Sequence, residues 1–174
     1  MIRTPKKSGL EAAVVAAAFC LLLTNPFPAW PMSSQVDRVL VLKKERIMML
    51  LKDGKVLKRF KIALGRQPNG RKYCQGDMKT PEGTYVLDRR NECSKYYKSL
   101  HISYPNSTDI AASRKRGVNP GRDIMIHGLP KGFEDLGDIH TARNWTKGCI
   151  AVSNAEIDEI WHLVPNGTPI EISP

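Results

Sequence analysis

Cysteine and long apolar runs are both scarce in this chain, and each scarcity excludes a class of protein. Four cysteines in 174 residues are too few for a small scaffold held together by disulfides. The longest unbroken apolar run has 12 residues, from Ala12 to Leu23, whereas a membrane-spanning helix needs about 20. With 41% hydrophobic and 25% charged residues, the composition also excludes a disordered chain and a multi-span membrane protein.

Acidic residues are outnumbered, with 17 Asp and Glu against 27 Lys and Arg, and the formal net charge is +10. Residues 1–29 hold only three basic residues and one acidic residue, so the rest of the chain still carries +8. A basic domain predicts an anionic partner. Nucleic acid, a membrane surface and an anionic wall polymer all satisfy that charge.

The N-terminus has the pattern of an export signal. Three basic residues precede the apolar run, and two prolines follow it. The order and the length of the run are typical of a secretory signal. Phe27 fits poorly with cleavage after Ala29, so residues 1–29 are interpreted either as a signal peptide or as an uncleaved N-terminal anchor. Export predicts a periplasmic or cell-envelope location, which argues against nucleic acid as the partner.

From Val36 onward the pattern of apolar residues is mainly β. It predicts strands over residues 36–43, 46–52, 56–64, 84–87, 100–104, 123–127 and 168–172, with Asp53-Gly54 as a hairpin turn. A short helix is predicted over 108–116, and a second helix begins with a capping box at Ser153. The lysines and arginines of the first three strands, including Lys43, are interpreted as a solvated face. The sequence therefore predicts a single mainly-β domain with a few short helices.

Two motifs carry residues suited to nucleophilic catalysis. His127 ends an apolar strand and precedes a glycine, and Cys149 follows Gly148, 22 residues further along the chain. A thiolate is the reactive form of cysteine, and a neighbouring imidazolium lowers the pKa of the thiol. Glycine before the cysteine leaves a backbone N–H free to bind an oxyanion. On these residues alone, a buried core cysteine and a structural histidine are an equal alternative.

Taken with its flanking segments, the chain resembles the catalytic domain of the YkuD-type L,D-transpeptidases. The resemblance rests on IMIHG, on WTKGCIAVSNAEIDEIWHLVPNGTPIEI and on the upstream segments GDMKTPEGTY and SLHISYPN, and it covers residues 36–172. It implies the mainly-β YkuD sandwich, with Cys149 as the nucleophile and His127 as the base.

The resemblance also implies roles for the residues beside this pair. The carbonyl of Gly128 would orient the histidine, in the place that a carboxylate takes in a Ser-His-Asp triad. The N–H groups of Gly148 and Cys149 would bind the oxyanion. Thr146 matches the family's Ser or Thr position.

The reaction that the resemblance implies is acyl transfer at peptidoglycan. The cysteine would attack the bond between the third residue of a stem tetrapeptide, a diamino acid, and D-alanine, leaving a thioester. An amine acceptor would complete a transpeptidation. Water would give an L,D-carboxypeptidase, or a hydrolase that releases a lipoprotein from the wall. The implied partners are stem peptides, a wall-linked lipoprotein and carbapenem inhibitors, and no cofactor is implied.

Two positions depart from the family pattern. Lys147 stands where many members have histidine, and Ala151 stands where many have arginine. The contacts of the donor peptide therefore stay open, as does the choice between amine and water. A non-catalytic, basic wall-binding module is the alternative from another functional class, and the presence of both His127 and Cys149 argues against it.

The remaining reactive residues each have two interpretations. Cys74 and Cys93 flank a predicted hairpin and form a candidate disulfide in an oxidising compartment, with two unpaired thiols as the alternative. Trp145 either walls the substrate site or packs in the core, and His101 either lines the cleft or has a solvated or structural role. No C-x-x-C or H-x-x-x-H spacing supports a metal site, so none is predicted.

Overall fold

The structure is a computed structural model that describes Met1 and residues 35–174. Apart from Met1, the predicted signal or anchor over residues 1–29 lies outside the described residues. Within the described part of the chain, no helix is both long enough and apolar enough to cross a membrane.

Eight strands and short helices make up the domain. The strands are β1 (Arg38–Leu42), β2 (Ile47–Lys52), β3 (Lys55–Lys61), β4 (Gly83–Ser94), β5 (Tyr97–Ile102), β6 (Ile124–His127), β7 (Ile150–Ala151) and β8 (Thr168–Ser173). The α-helices are α1 (Ser107–Arg114) and α2 (Asn154–Leu163), and a 3₁₀ helix covers Glu134–Thr141. The predicted mainly-β fold with short helices is confirmed.

All eight strands belong to one mixed sheet in the order β3-β2-β1-β8-β4-β5-β6-β7. β1 pairs with β8 and β6 with β7 in parallel, and the other neighbours are antiparallel. Ala63, just after β3, bridges to Ala151 of β7. The sheet is therefore curled, because the segment that follows β3, the first strand in the order, pairs with β7, the last.

The core lies on one face of this sheet, where alternate residues of most strands are buried. Six of the eight strands contribute apolar pairs two residues apart, among them Val39 and Val41, Leu100 and Ile102, and Ile170 and Ile172. Helix α2 adds Ile157 and Ile160 and packs against β5. Full burial of such a side chain stabilises the fold by about 1.5–3 kcal/mol.

Capping boxes fix the start of both α-helices. Ser153 accepts from the N–H of Glu156, and the Glu156 carboxylate accepts from the N–H of Ser153 at 2.7 Å, so the predicted start of α2 is confirmed. Asn106 and Asp109 make the same reciprocal pair before α1. The two side chains of each box satisfy N–H groups that have no partner within the helix.

Strand β4 is longer than the sequence pattern predicts, since it runs to Ser94 instead of ending at Leu87. Its second half is polar and mostly exposed, and it pairs with β5 as a hairpin. Exposed polar residues on both faces give no alternation, so the hydrophobic pattern does not reveal this half.

The interpretation of Lys43 as part of a solvated face is wrong. Its side chain is only 3% exposed, and its Nζ donates to the carbonyls of Gly70 and Thr80 and to Glu82 Oε1 at 2.7 Å. Burial lowers the pKa of Lys43, while the hydrogen bond with Glu82 opposes that shift. The residue ties the end of β1 to the segment that leads into β4.

The candidate disulfide between Cys74 and Cys93 is absent, and both cysteines are free. Cys74 lies near Tyr104, which follows β5 where that strand pairs with the start of β4, whereas Cys93 lies at the far end of the same hairpin. At about 3.3 Å per residue, the strand separates the two ends by roughly 20 Å. A disulfide requires Cα atoms within about 7 Å of each other.

We expect Lys43→Ala to lower the free energy of unfolding by about 3 kcal/mol, because it leaves Glu82 and the carbonyls of Gly70 and Thr80 without their donor. Urea denaturation followed by circular dichroism measures this loss. The matched control is Lys44→Ala at the neighbouring, exposed position, where we expect a change within about 0.5 kcal/mol. Equal stability of the two variants would contradict the structural role of Lys43.

Candidate active site

The pairing of β6 with β7 brings His127 and Cys149 to one face of the sheet. Ile126 lies opposite Ile150, and His127 lies opposite Ala151. Ile126 and Ile150 point into the core. Because side chains alternate along a strand, His127 and Cys149 both lie on the other face. Residues that are 22 positions apart in sequence thus come to the same face of two paired strands.

The turn after β6 fixes the orientation of His127. Its Nδ1 lies 2.7 Å from the carbonyl oxygen of Gly128, and since a carbonyl only accepts, Nδ1 carries the proton. The lone pair is then on Nε2. Residue 128 must be glycine, because a Cβ there would lie 2.5 Å from Asn154 Oδ1, which accepts from the N–H of Leu129.

Aromatic rings shield the imidazole of His127 from water. The Tyr96 ring lies 4.4 Å away, centroid to centroid, and Trp145 makes an edge contact at 5.7 Å. His127 is 3% exposed, and this burial lowers its pKa to about 4, against a weaker opposing effect of the Gly128 carbonyl. The imidazole is therefore neutral at neutral pH and can accept a proton.

Cys149 is partly exposed, and its thiol is protonated in this state. Burial raises the pKa of Cys149, although the N–H of Met125 and the charge of Lys72 both favour the thiolate. The sulfur donates to the carbonyl of Asp123 at 3.8 Å, and within residues 35–174 it makes no hydrogen bond to His127. Burial of each group thus acts against a thiolate–imidazolium pair, because it lowers the pKa of His127 and raises the pKa of Cys149.

Thr146 holds the backbone of the cysteine turn. Its hydroxyl accepts from the N–H of Gly148 at 3.1 Å and donates to the carbonyl of Cys149 at 2.7 Å. Gly148 has φ +133°, and a Cβ at this position would lie 2.7 Å from the carbonyl oxygen of Lys79. The N–H of Gly148 is thus already bonded, contrary to its expected role as an oxyanion donor. The N–H of Cys149 makes no hydrogen bond to residues 35–174.

A cleft of about 820 Å³ opens beside the sulfur of Cys149. Its walls include the loop that precedes β4, the segment between α1 and β6, and the cysteine turn. Three cations line it, Lys72, Arg122 and Lys147, against one carboxylate, Asp123. The residues that line the cleft therefore carry a net positive charge.

The structure places the other candidate residues around this centre. Trp145 touches the His127 ring and also lines an adjacent apolar pocket with Phe133 and Ile139. His101 pairs with Asp88 at 2.6 Å, in a smaller pocket beside Met125. The described residues contain no group of three or more side chains arranged to hold a metal.

Several residues of the site carry no signal in the sequence. Lys72 comes from a loop without apolar pattern, and Asp123 contributes only its backbone carbonyl to the sulfur. Asn154 is recognisable as part of a helix start but not as a support for the histidine turn. Tyr96 lies in a hairpin turn whose position depends on the unpredicted half of β4.

We expect the alkylation rate of Cys149 by iodoacetamide to rise continuously from about pH 6 to about pH 9, because the thiol pKa lies above its usual value. Peptide mass mapping separates this cysteine from Cys74 and Cys93. His127→Asn should leave the profile nearly unchanged. A plateau near neutral pH that disappears in His127→Asn would instead demonstrate a thiolate–imidazolium pair.

Comparison with known proteins identifies the family to which this domain belongs. The YkuD family model, which describes the L,D-transpeptidase catalytic domain, matches residues 36–172. The Escherichia coli (strain K12) protein named "Putative L,D-transpeptidase YafK" is 32% identical over 165 residues, covering 87% of this chain and 59% of that protein.

Solved structures share the fold. The helical cell shape determining protein Pgp2 of Campylobacter jejuni is 28% identical, with a TM-score of 0.61 over 79% of this chain and 47% of that chain. The L,D-transpeptidase LdtMt1, solved in complex with imipenem, is 15% identical, with a TM-score of 0.51 over 78% of this chain and 58% of that chain. The chain thus spans about three-fifths of YafK and about half of Pgp2. A family match over nearly the whole described domain, with a relative at 32% identity, shows that the chain belongs to the YkuD family of L,D-transpeptidase catalytic domains.

Proposed function

We propose that this chain is a cysteine L,D-transpeptidase that acts on peptidoglycan stem peptides. The observation that carries the proposal is the placement of a neutral His127, with its lone pair on Nε2, on the same sheet face as Cys149 beside an open cleft. Membership of the family supports the choice of an L,D bond as the bond that is cut. The size of the cleft suits a short peptide.

In the first step, the thiol proton of Cys149 passes to Nε2 of His127 as the sulfur attacks the carbonyl carbon of the stem's diamino acid. The side chain leaves the carbonyl of Asp123 to do so, and that contact is long and weak. A C–S bond forms, the C–N bond to D-alanine breaks, and the imidazolium gives its proton to the departing amine. The products are a thioester and free D-alanine.

The N–H of Cys149 is the oxyanion donor in this proposal. It has no acceptor among residues 35–174, and it belongs to the residue whose sulfur attacks, so it lies next to the developing negative charge. Thr146 supports it indirectly, because its hydrogen bonds to both sides of this N–H fix the turn.

In the second step, an amine of another stem attacks the thioester, His127 takes its proton and the thiol is regenerated. Water in place of the amine gives an L,D-carboxypeptidase, or a hydrolase that releases a wall-linked lipoprotein, through the same thioester. The openness of the cleft to solvent favours this second candidate function, since water reaches the sulfur freely.

The proposed setting is the cell envelope. Residues 1–29 are proposed to direct export, either as a cleaved signal or as an anchor to the inner membrane, and the +10 charge of the chain suits an anionic wall. A contribution to cell shape is proposed by analogy with Pgp2, which is named for that role.

We expect intact-mass spectrometry to detect a carbapenem adduct on the wild-type chain and none on Cys149→Ala, because the strained lactam acylates the nucleophile that attacks stem peptides. His127→Asn should slow adduct formation by about 10²–10⁴-fold, the usual contribution of a general base. Cys93→Ala serves as the control, since it removes an exposed thiol outside the cleft. An adduct that persists on Cys149→Ala would contradict the assignment of the nucleophile.

Purified tetrapeptide muropeptides distinguish the two candidate functions. We expect cross-linked dimers together with released D-alanine, resolved by liquid chromatography and mass spectrometry. Tripeptides without dimers would replace the transpeptidase with a carboxypeptidase. Cys149→Ala is the blank for both readouts, and turnover by that variant would overturn both functions.

A further inference from the structure

Strand β2 is apolar at every position from 47 to 51, a pattern that the proposed reaction does not use. Apolar and polar residues alternate along a strand that has one solvated face, whereas a strand that is covered on both faces is apolar throughout. Met48 and Leu50 belong to the core cluster. Because side chains alternate, Ile47, Met49 and Leu51 point to the opposite face of the sheet, away from that core.

The neighbouring strands extend this second apolar surface. Two leucines of β1 and one valine of β3 lie directly opposite the outward side chains of β2. Residues that are directly opposed in a sheet share a face. This surface, the outer face, has six apolar residues: Leu40, Leu42, Ile47, Met49, Leu51 and Val56.

The apolar residues of the outer face are separate from the core and incompletely covered. Its three leucines and Ile47 are half-buried, and Val56 is 49% exposed. Within residues 35–174, the partly buried apolar residues that pack against the core cluster are Trp161 and Leu163, and no outer-face residue is among them. Grouped apolar residues at a surface mark a site of contact with a protein or a membrane.

Basic side chains border the apolar residues of the outer face. Arg38, Arg59 and Lys61 lie opposite residues of β2, and all three are exposed. None of them forms an ion pair with a carboxylate of residues 35–174. Arg59 Nη2 is 3.7 Å from Met49 Sδ, so this side chain lies along the apolar surface. The one carboxylate at outer-face positions of β1, β2, β3 and β8 is the half-buried Glu171, so the face is positive overall.

We propose that the outer face docks the domain on the surface of a membrane that contains anionic phospholipid. Its three cations contact the lipid phosphates, while Val56 and its apolar neighbours enter the boundary between headgroups and acyl chains. This interaction surface goes beyond the proposed function and does not depend on it.

The composition of the outer face favours a membrane over the other possible occupants. An anionic wall polymer is attracted by charge alone and gives no reason for six apolar residues between the cations. A second copy of the chain, docked through the same face, sets Arg59 and Lys61 of one copy against the like charges of the other. Eight residues, 30–37, connect the proposed anchor to Arg38, so an uncleaved anchor holds the start of β1 within about 30 Å of a bilayer.

The test measures acetylation rates of lysines in the full chain, mapped by peptide mass spectrometry. One set of vesicles contains phosphatidylglycerol and phosphatidylcholine, and the other contains phosphatidylcholine alone. We expect Lys61 to react about tenfold more slowly on the anionic vesicles, since each cation at such a surface favours binding about fivefold. Lys115, exposed at the end of α1, should react equally on both. The readout is local, so insertion of residues 1–29 into either vesicle does not mimic it.

Two pairs of variants separate the contributions of charge and of apolar contact to this protection. Arg59→Gln should reduce the protection of Lys61 about fivefold, and Arg114→Gln, which removes the same charge from the end of α1, should leave it unchanged. Val56→Ser should reduce it about threefold, because less apolar surface enters the lipid. Val118→Ser, at an exposed valine outside the outer face, is its matched control.

Equal acetylation of Lys61 on the two kinds of vesicle overturns the membrane proposal. Protection by purified wall sacculi but not by vesicles assigns the outer face to a wall polymer instead. Protection without vesicles that grows with protein concentration assigns it to a second copy of the chain. Protection that Val56→Ser leaves unchanged reduces the contact to charge alone and also overturns the proposal. All four results leave the proposed reaction at Cys149 standing.

Discussion

The parallel pairing of β6 with β7 is the constraint on which the rest of the site depends. Strand β7 has only two residues, Ile150–Ala151, so it holds its register because it is bonded on both sides. Ala151 exchanges two hydrogen bonds with Ala63, at 2.8 and 3.0 Å, while the N–H of Val152 donates to the carbonyl of His127. A slip by one residue would turn Cys149 into the core and bring an isoleucine to the cleft. The short strand therefore keeps its register only because the curled sheet provides a hydrogen-bonding partner on each of its sides.

Burial and charge are divided between the two proposed catalytic residues, His127 and Cys149. His127 lies in a dry aromatic surround with Tyr96 and Trp145, which keeps it neutral and ready to take a proton. Cys149 borders a basic cleft that is open to solvent. The cations favour an anion at the sulfur without having to stabilise a permanent thiolate. A protonated thiol beside a neutral imidazole is also less prone to oxidation, because the thiolate is the form that oxidants attack.

Features that depend on local sequence were predictable, and features that depend on long-range partners were not. The Asp53-Gly54 turn and the Ser153 capping box act within a few residues, and the structure has both. Lys43 has the sequence pattern of a surface residue because its partners come from a segment 27 to 39 residues later. The N–H of Gly148 is a different case, because its partner, the Thr146 hydroxyl, is only two residues away and its contact depends on the orientation of one side chain. Two motifs indicate the candidate residues, but their burial, which shifts the pKa of each, depends on the assembled sheet.

The ion pairs indicate which basic residues of the described chain are neutralised by a carboxylate and which are not. Lys43 is paired with Glu82, Lys58 with Glu159 and Lys98 with Asp158, so much of the positive charge serves the fold. What distinguishes the cleft is a lysine with no partner among the described residues next to one with a spare donor. Long-range attraction to an anionic wall needs only total charge and is screened by salt within about 10 Å. An unpaired ammonium beside the cleft is instead a property of the turn around Thr146, which carries Lys147, and not of the composition.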